Sequence, residues 1–452
     1  MNIIISGCGK VGKMLAASLH REGHDVTMVD LDATKLKSFV AKYDIMGVLG
    51  NCATHTTLEE AGIKEADLMI AVTGSDELNM LSCVLANRYG TRTIARVRNP
   101  AYFDDASYLK DELGLAMIIN PEYTTAKEIA RILSFPTAIS IEPFMGGKVE
   151  IIKFRLPEGN RLVGMTVKDA AAALKLKVLL AVVERGDDVY IPGGDFAFEE
   201  RDVISVVTTH RTAVSFFKKI NLDTQSAKST MILGGGQATH YLLEMLENSG
   251  VNVKVVEKDH QVSTNYANEF DYATIINADP SDKDVLREEG IERAEAFVSL
   301  VDKDEDNLLL SFFAKNEGTK KVITRINRID YDDIIERFDI DSIIYPKDIT
   351  LGIVTRYVRG MTSTRGSGMS TLYNLIPGVV EAAEFSVSEE SDLVGAPLYQ
   401  LGAKLKPNVL IAAIRRGGSI IIPRGGDSIL VGDSVIVITK DLPLTHITDI
   451  LK

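Results

Sequence analysis

The feature that most constrains the fold is an internal duplication along the chain of 452 residues. The opening apolar run leads into the turn Gly7-Cys8-Gly9-Lys10-Val11-Gly12, and a second run leads into Gly234-Gly235-Gly236-Gln237-Ala238-Thr239. Asp30 lies 23 positions after Gly7, and Glu257 lies 23 positions after Gly234 (30 − 7 and 257 − 234). A repeat this long indicates duplicated domains, because solenoid repeats have periods of about 20 to 50 residues.

The segments outside the two Gly-rich units also repeat. Leu162-Val163-Gly164 returns as Leu393-Val394-Gly395, and Ile191-Pro192 returns as Ile422-Pro423. We therefore predict four domains in the order A-B-A′-B′, which the chain length allows. Their predicted ranges are 1–138, 139–222, 228–366 and 367–452.

Short apolar runs separated by helical patterns make up the first unit. The predicted strands are residues 3–6, 26–29, 45–49, 68–72, 93–97 and 116–119, and equivalent runs recur between 231 and 344. Fully apolar strands that alternate with helices indicate a parallel sheet covered on both faces. The fold class is therefore α/β, with two Rossmann-like doubly wound parallel sheets.

The segments after each unit have a different pattern. Strands are predicted at 149–155, 178–183, 188–191 and 203–207, with one helix at 166–174 and Gly-rich turns between them, which is typical of a small α+β domain. A helix after Pro121, ended by Pro136, carries its apolar residues on one face. We expect it to connect the domains or to dock on a neighbouring subunit.

Charge and composition narrow the class of protein. A net charge of −13 argues against a nucleic-acid surface, which normally needs a basic face. No run of about 18 apolar residues appears, and the first residues lack the layout of a signal peptide. The three cysteines show no metal-ligand spacing and are expected to be reduced, buried thiols in a cytoplasm.

The first Gly-rich turn matches a dinucleotide fingerprint. Gly7 allows the tight turn, Gly9 allows backbone amides to approach a pyrophosphate, and Gly12 allows the helix to pack on the strand. The phosphates would then lie at the positive end of the helix. Asp30 would accept hydrogen bonds from a ribose and repel a 2′-phosphate, which favours NAD or NADH. The alternatives are a structural turn and a solvated Asp30.

Other candidate ligand residues follow the later strands. Thr73 and Gly74 end the fourth strand, where they line a ligand crevice or simply precede a helix. Arg98 ends the fifth strand and would either bind phosphate or form a surface salt bridge. Asn51 and Cys52 follow the third strand, and position alone places them near an adenine.

The second unit departs from the fingerprint. Thr239 replaces the third glycine, and Asn327 occupies the position of Arg98. Its candidate ligand residues are Gly234, Gly235, Gly236, Gln237, Ala238 and Glu257. Two possibilities remain open for this unit: it binds a nucleotide, or it keeps only the scaffold of such a site.

Catalytic groups are few. Tyr123 and Lys127 are four residues apart on a helix, as in short-chain reductases, but no serine partner precedes them. The seven histidines form no metal-ligand pattern, so we predict no catalytic residue and no metal site. A nucleotide-binding regulator is therefore expected, and an NAD-dependent oxidoreductase is the alternative.

The chain resembles the regulator of potassium conductance (RCK) domain family, in the tandem form found in Trk-type potassium uptake systems. The likeness lies in Gly7 to Gly12 with Asp30, in 71–79, in 95–100, and in Leu162-Val163-Gly164 with 191–195. It extends over essentially the whole chain, and the order of the four domains is its most specific part.

This resemblance implies a cytoplasmic, non-enzymatic subunit, peripheral on the inner membrane, that binds a potassium-transporting membrane subunit. NAD or NADH, and also ATP or ADP, would bias the pore. Such chains form rings, here a homotetramer, and no nucleic acid is involved. The implied phosphate and sugar ligands are Gly7, Cys8, Gly9, Lys10, Val11, Asp30, Thr73, Gly74 and Arg98.

Overall fold

The computed structural model describes residues 1–452 apart from 176, 223, 328–337, 339, 364–368, 377, 389–392 and 445. Two parallel-sheet units alternate with two smaller antiparallel sheets, which confirms the predicted fold class. The predicted boundary at 366 and 367 lies outside the described residues. The boundary at 138 and 139 coincides with the start of a strand.

The first unit contains six parallel strands, β1 Asn2–Ser6, β2 Asp25–Asp30, β3 Met46–Leu49, β4 Leu68–Ala71, β5 Arg92–Arg96 and β6 Met117–Ile119. Their order in the sheet is β3-β2-β1-β4-β5-β6. The helices are α1 Lys10–Arg21, α2 Ala33–Tyr43, α3 His55–Glu60, α4 Asp76–Asn87, α5 Pro100–Phe103 and α6 Ala106–Glu112. Ser6 is in register with Val29 and Ala71. The strand order reverses between β1 and β4, so a ligand crevice is expected at their carboxyl ends.

The connecting helix α7 Pro121–Ser134 leads into the first smaller domain. Asn120 caps α7, because its Oδ1 accepts a hydrogen bond of 2.9 Å from the Tyr123 amide. The domain contains β7 Ala138–Phe144, β8 Val149–Arg155, α8 Val167–Leu174, β9 Leu179–Arg185, β10 Asp188–Tyr190, β11 Val203–Thr208 and α9 His210–Lys219. Its antiparallel sheet has the order β7-β8-β11-β9-β10. Neither β7 nor α9 was predicted from the sequence.

The second half repeats this plan. The parallel-sheet unit contains β12 Ser229–Leu233, α10 Gln237–Leu246, β13 Asn252–Glu257, α11 His260–Glu269, β14 Thr274–Asn277, α12 Lys283–Glu288, β15 Ala296–Ser299, α13 Asp304–Asn316, β16 Lys321–Arg325 and β17 Ser342–Ile344. After it come α14 Pro346–Ser363, β18 Met369–Ile376, β19 Val380–Ser386, α15 Leu398–Leu401, β20 Val409–Arg416, β21 Ser419–Ile421 and β22 Ser434–Lys440. The parallel sheet has the order β14-β13-β12-β15-β16-β17, and the antiparallel sheet has the order β18-β19-β22-β20-β21.

The two connecting helices are exchanged between the halves. Ile129 and Leu133 of α7 share a core with Leu242 of α10, in the second unit. Val354 and Val358 of α14 share a core with the first unit. The predicted apolar face of α7 therefore packs on the other half of the same chain, and not on a neighbouring subunit.

The two antiparallel sheets also share one core. Ile151 and Val182 of the first smaller domain belong to the same buried cluster as Ala382 and Ile436 of the second. Burial of apolar surface contributes about 25 cal/mol per Å². The halves are thus joined at both the parallel-sheet and the antiparallel-sheet level.

Candidate nucleotide-binding site

The turn between β1 and α1 has no room for most side chains. Gly7 has a φ of +104°, and a Cβ there would lie 2.8 Å from the carbonyl oxygen of Val72. A Cβ on Gly12 would lie 1.9 Å from the carbonyl oxygen of Gly7. Gly9, the N-cap of α1, has no heavy atom within 4 Å of a Cβ position. The amino end of α1 is therefore open to an anion, which the helix dipole attracts.

Asp30 ends β2 beside this turn. Its Oδ2 accepts a hydrogen bond of 2.5 Å from the Cys8 amide, and its Oδ1 accepts one of 2.8 Å from the Asp32 amide. An ionised carboxylate has about four acceptor positions, so Asp30 can still accept from ribose hydroxyls. Its position is compatible with the role predicted for it.

A cavity of about 580 Å³ opens at this turn. Its volume lies within the range of about 300 to 1,000 Å³ typical of small-molecule sites. The predicted residues that line it are Gly7, Gly9, Lys10, Val11, Asp30, Asn51, Cys52, Thr73 and Gly74. Cys8 is fully buried, and burial raises the pKa of its thiol. The Cys8 side chain therefore cannot contact a ligand in the cavity.

Two arginines at the end of β5 have different environments. The Nη2 of Arg98 donates a hydrogen bond of 2.7 Å to the Gly74 carbonyl, and its Nε lies 3.5 Å from Asp76 Oδ1. Arg98 does not line the cavity, whereas Arg96 does. The Arg96 Nε is buried without a hydrogen-bond partner, and burial together with the Arg98 charge lowers its pKa. Arg96 is thus a phosphate-binding candidate that the sequence analysis missed.

The loop after β4 is held by a buried asparagine. Asn79 Oδ1 accepts a hydrogen bond of 2.8 Å from the Thr73 amide, and its Nδ2 donates one of 2.9 Å to the Arg96 carbonyl. In the second half, Asn307 makes hydrogen bonds of 2.9 Å and 2.8 Å with the backbone of Val301. In both halves, the asparagine side chain thus accepts a hydrogen bond from the backbone amide of the loop after the fourth strand.

The second half of the chain supplies part of the cavity wall. Asn327, Pro346 and Lys347 line it, so the amino end of α14 lies beside that of α1. Glu122, in the first turn of α7, also lines the cavity, and its Oε2 is buried without a hydrogen-bond partner. Neither Glu122 nor Lys347 was predicted from the sequence. The one feature that their surroundings share in the sequence is a proline directly before each, at the start of a connecting helix.

The second Gly-rich turn keeps the acidic partner. Glu257 Oε2 accepts a hydrogen bond of 2.5 Å from the Gly235 amide, as Asp30 does from Cys8. A Cβ on Gly235 would lie 2.7 Å from Val262, so this part of the turn is tightly covered. Gly236 and Gln237 are exposed, whereas Ala238 is buried.

Thr239 fits the second turn through its hydroxyl. The side chain is fully buried, and Oγ1 donates a hydrogen bond of 2.5 Å to the Gly234 carbonyl. Tyr266 Oη lies 2.9 Å and 3.0 Å from the carbonyl oxygens of Gly235 and Gly236. The turn is thus stabilised by side chains that the first turn lacks.

The reductase-like pair lies outside the cavity. Tyr123 packs edge-on against Tyr241, with ring centroids 5.5 Å apart, and Lys127 Nζ lies 6.0 Å from the Tyr123 ring centroid. Neither lines the cavity beside the first turn. Within the described part of the chain, no three His, Cys, Asp or Glu side chains are grouped as metal ligands, and no helix has the length and apolar character needed to span a bilayer.

Family comparisons match all four domains. The TrkA-N domain matches residues 3–121 and 230–346, and the TrkA-C domain matches 151–221 and 382–451. Among curated relatives, Trk system potassium uptake protein TrkA homolog 1 of Methanosarcina mazei is 33% identical over 448 residues, with 97% of each chain covered. Trk system potassium uptake protein TrkA of Halomonas elongata is 31% identical, covering 98% of this chain and 96% of its own.

Solved structures show the same fold at low sequence identity. The GsuK RCK domain is 16% identical, with a TM-score of 0.65 over 97% of this chain and 92% of that chain. The GsuK channel bound to NAD is also 16% identical, with a TM-score of 0.63 over 97% of this chain and 76% of that one. The matches to both domain types in both halves, and the full-length relatives, place the chain in the Trk system potassium uptake protein TrkA family.

Proposed function

We propose that this chain is the nucleotide-sensing regulatory subunit of a Trk-type potassium uptake system. The first Rossmann unit binds NAD or NADH, and ATP or ADP are alternative ligands of the same cavity. The chain acts without turnover as a cytoplasmic homotetrameric ring, bound to the inner face of the membrane subunit. The GsuK channel, which shares the fold, has been solved bound to NAD, and GsuK has been solved bound to ADP.

Each part of the nucleotide is assigned to residues that line the cavity. The pyrophosphate lies at the turn from Gly7 to Val11 and at the amino end of α1, with Asp30 on the ribose. Thr73, Gly74 and Arg96 surround the phosphates, Arg98 holds the Gly74 loop, and Asn51 and Cys52 lie towards the adenine. Gly234 to Ala238 with Glu257 form a second, altered site.

One observation carries the regulatory role: residues of both halves line one cavity. The Gly-rich turn belongs to the first half, whereas Asn327, Pro346 and Lys347 belong to the second. A ligand that prefers one arrangement of these walls shifts the chain towards it by its difference in affinity. A preference of about 100-fold amounts to roughly 2.7 kcal/mol per site, so several sites in a ring would move a gate decisively.

Binding of NAD, NADH, ATP and ADP, measured by calorimetry, tests the proposal. We expect Asp30→Ala to weaken binding to the first unit at least about tenfold, or about 1.4 kcal/mol. Glu257→Ala tests nucleotide binding to the second unit separately. Glu60→Ala, which removes an exposed carboxylate from α3, is the matched control.

The transport role is tested in cells and membranes. We expect the chain to co-purify with a potassium-transporting membrane subunit, and its deletion to lower potassium uptake. Failure to bind any adenine nucleotide, or unchanged uptake after deletion, would reject the proposal. Substrate-dependent oxidation of NADH that Tyr123→Phe abolishes would instead favour an oxidoreductase.

A further inference from the structure

A second concave site adjoins the nucleotide cavity, and the proposed function uses only the end that the two share, at Lys10 and Lys347. This groove, of about 630 Å³, runs between α1 and α2 and ends at the start of α14. Its walls are Lys10, Lys13, Met14, Ala17 and Arg21 of α1, Ser38, Phe39, Lys42 and Tyr43 of α2, and Lys347. The α1 residues recur at intervals of three and four and therefore share one helix face. Lys10 and Arg21 are about 16 Å apart along the helix axis at about 1.5 Å per residue.

The charges that line this groove are all positive. No carboxylate lines it, and among the described residues Lys10, Lys13, Arg21 and Lys42 form no ion pair. The whole chain nevertheless carries a net charge of −13. Like charges gathered in one groove repel each other, and a bound anion would relieve that repulsion.

Two of the cations occupy helix ends where a cation is unfavourable. Lys10 is the first residue of α1, and Lys347 is the second residue of α14. A positive side chain at a helix amino end opposes the helix dipole, at a cost of about 0.3 to 1 kcal/mol. An anion held there interacts favourably with both dipoles and both ammonium groups. Both lysines also line the nucleotide cavity, so the groove begins where that cavity ends.

The second unit shows that the fold does not need these charges. A shift of 227 positions places Gln237, His240, Glu244 and Glu269 where the first unit has Lys10, Lys13, Ala17 and Lys42. His240 lies 3.4 Å from Glu244 and 3.7 Å from Glu269. The equivalent surface is therefore neutral to acidic, and the basic groove is specific to the first unit.

We propose that the groove between α1 and α2 is a binding site for a linear chain of phosphate groups, separate from the nucleotide site. Lys13, Arg21 and Lys42 hold the phosphates along the groove, and Lys10 and Lys347 hold the end nearest the nucleotide. The apolar floor, with Ala17 and Phe39, lets the chain approach both helices closely. A concave groove accepts an extended small anion better than it accepts a flat bilayer.

Calorimetry with sodium tripolyphosphate and the full chain tests this site. We expect the wild type to bind it, more weakly at higher salt. Lys13→Gln/Lys42→Gln should lower the affinity at least about tenfold, since charge-assisted hydrogen bonds to phosphate are lost. The matched control, Lys37→Gln/Lys110→Gln, removes the same charge from exposed positions outside the groove. Circular dichroism verifies that both variants are folded.

Two further arms identify the source of the phosphate. Tripolyphosphate binding should persist in saturating NAD with reduced affinity, because Lys10 and Lys347 also line the nucleotide cavity whereas Lys13, Arg21 and Lys42 do not. Complete loss of binding in NAD, equal losses in the two double variants, or no binding by the wild type would overturn the proposal. Groove-dependent binding to vesicles of equal parts phosphatidylcholine and phosphatidylglycerol, without tripolyphosphate binding, would also overturn it. NAD affinity is measured independently, so a lack of NAD binding is distinguished from a lack of tripolyphosphate binding.

Discussion

Asn120 and Tyr241 belong to different halves of the chain, and the Asn120 side-chain amide donates a hydrogen bond of 3.0 Å to the Tyr241 hydroxyl. The hydroxyl in turn donates one of 2.9 Å to the Arg98 carbonyl. Tyr241 is almost fully buried, and Phe103 and Tyr123 pack around its ring. The carboxyl end of the first parallel sheet is thus tied directly to α10 of the second unit.

Tyr241→Phe should destabilise the chain by about 1 to 2 kcal/mol, because it leaves buried partners without their hydrogen bond. The midpoint of urea denaturation measures the change. Tyr108→Phe is the control, since Tyr108 is 65% exposed. Equal midpoints for the two variants would show that the contact between the halves contributes nothing.

Gly12→Ala should destabilise the first unit by about 3 kcal/mol or more, because overpacking at a backbone contact cannot relax easily. Gly9→Ala should cost no more than about 1 kcal/mol, because alanine is a poorer N-cap than glycine but no atom lies near its Cβ position. Thermal unfolding of both variants checks the contrast. If Gly12→Ala unfolds at the same temperature as the wild type, the description of α1 as tightly packed on the turn is contradicted.

Thr239→Val should cost about 1 to 2 kcal/mol, since it removes the hydrogen bond to the Gly234 carbonyl without changing the side-chain shape. Thr230→Val is the matched control in the same unit. Thr230 is buried and its hydroxyl has no hydrogen-bond partner, so this replacement should be neutral or stabilising. Guanidinium denaturation distinguishes the two variants, and a reversed order would contradict the role given to Thr239.

Arg359 of α14 joins three parts of the chain. Its Nη2 and Nε donate to Glu22 at 2.9 Å and 3.0 Å, and its Nη1 donates to both oxygens of Glu381 at 3.1 Å. The Arg359 side chain is 12% exposed. Arg359→Met should therefore cost about 2 to 4 kcal/mol, because two carboxylates lose their partner.

Two further variants test this account of Arg359. Adding Glu22→Gln to Arg359→Met should recover part of the stability, because one unpaired charge is removed. Arg92→Met, at an exposed position of β5, should change little. No recovery in the double variant would mean that the loss comes from packing of the arginine stem.

Glu128 of α7 and Glu142 of β7 make stability depend on pH. Burial and the neighbouring Glu142 charge raise the pKa of Glu128 above its ordinary value of 4.5, while Arg131 opposes the shift. Burial also raises the pKa of Glu142. Folded protein then binds more protons than unfolded protein above about pH 4.5, so the free energy of unfolding falls as pH rises through that range.

Glu128→Gln should therefore be less pH-sensitive than the wild type. The variant should gain stability relative to the wild type between about pH 5 and pH 7, because it has no proton to release. Urea denaturation at both pH values measures the difference, with the exposed Glu60→Gln as control. If the stability of the wild type and of Glu128→Gln changed equally with pH, the raised pKa of Glu128 would be contradicted.

Local patterns predicted the elements of the parallel sheets well, and for a physical reason. Each strand is a short apolar run between helices, and the predicted ends differ from the observed ones by at most two residues. The strand β7 escaped notice because Glu142 and Pro143 interrupt its pattern. Among the strands that the structure describes, β7 pairs only with β8, and an edge strand tolerates a proline that an inner strand would not.

The partners of the elements were less predictable than the elements themselves. The apolar face of α7 indicated that something covers it, but an amphipathic pattern does not say what. Likewise, the fingerprint placed Gly7 and Asp30 at the cavity, whereas Arg96 and Lys347 reach it only through the fold. Lys347 is more than 300 residues from the turn it faces, so no local spacing could reveal it.

The exchange of α7 and α14 has a genetic consequence. In a dimer of identical chains, every substitution appears at both symmetry-related positions, so the two sites must change together. Here both copies are encoded in one reading frame, and a single codon change alters one site only. Glu122 and Lys347 occupy matching positions of the two exchanged helices and differ in charge. A symmetric dimer of identical chains would carry the same residue at both positions.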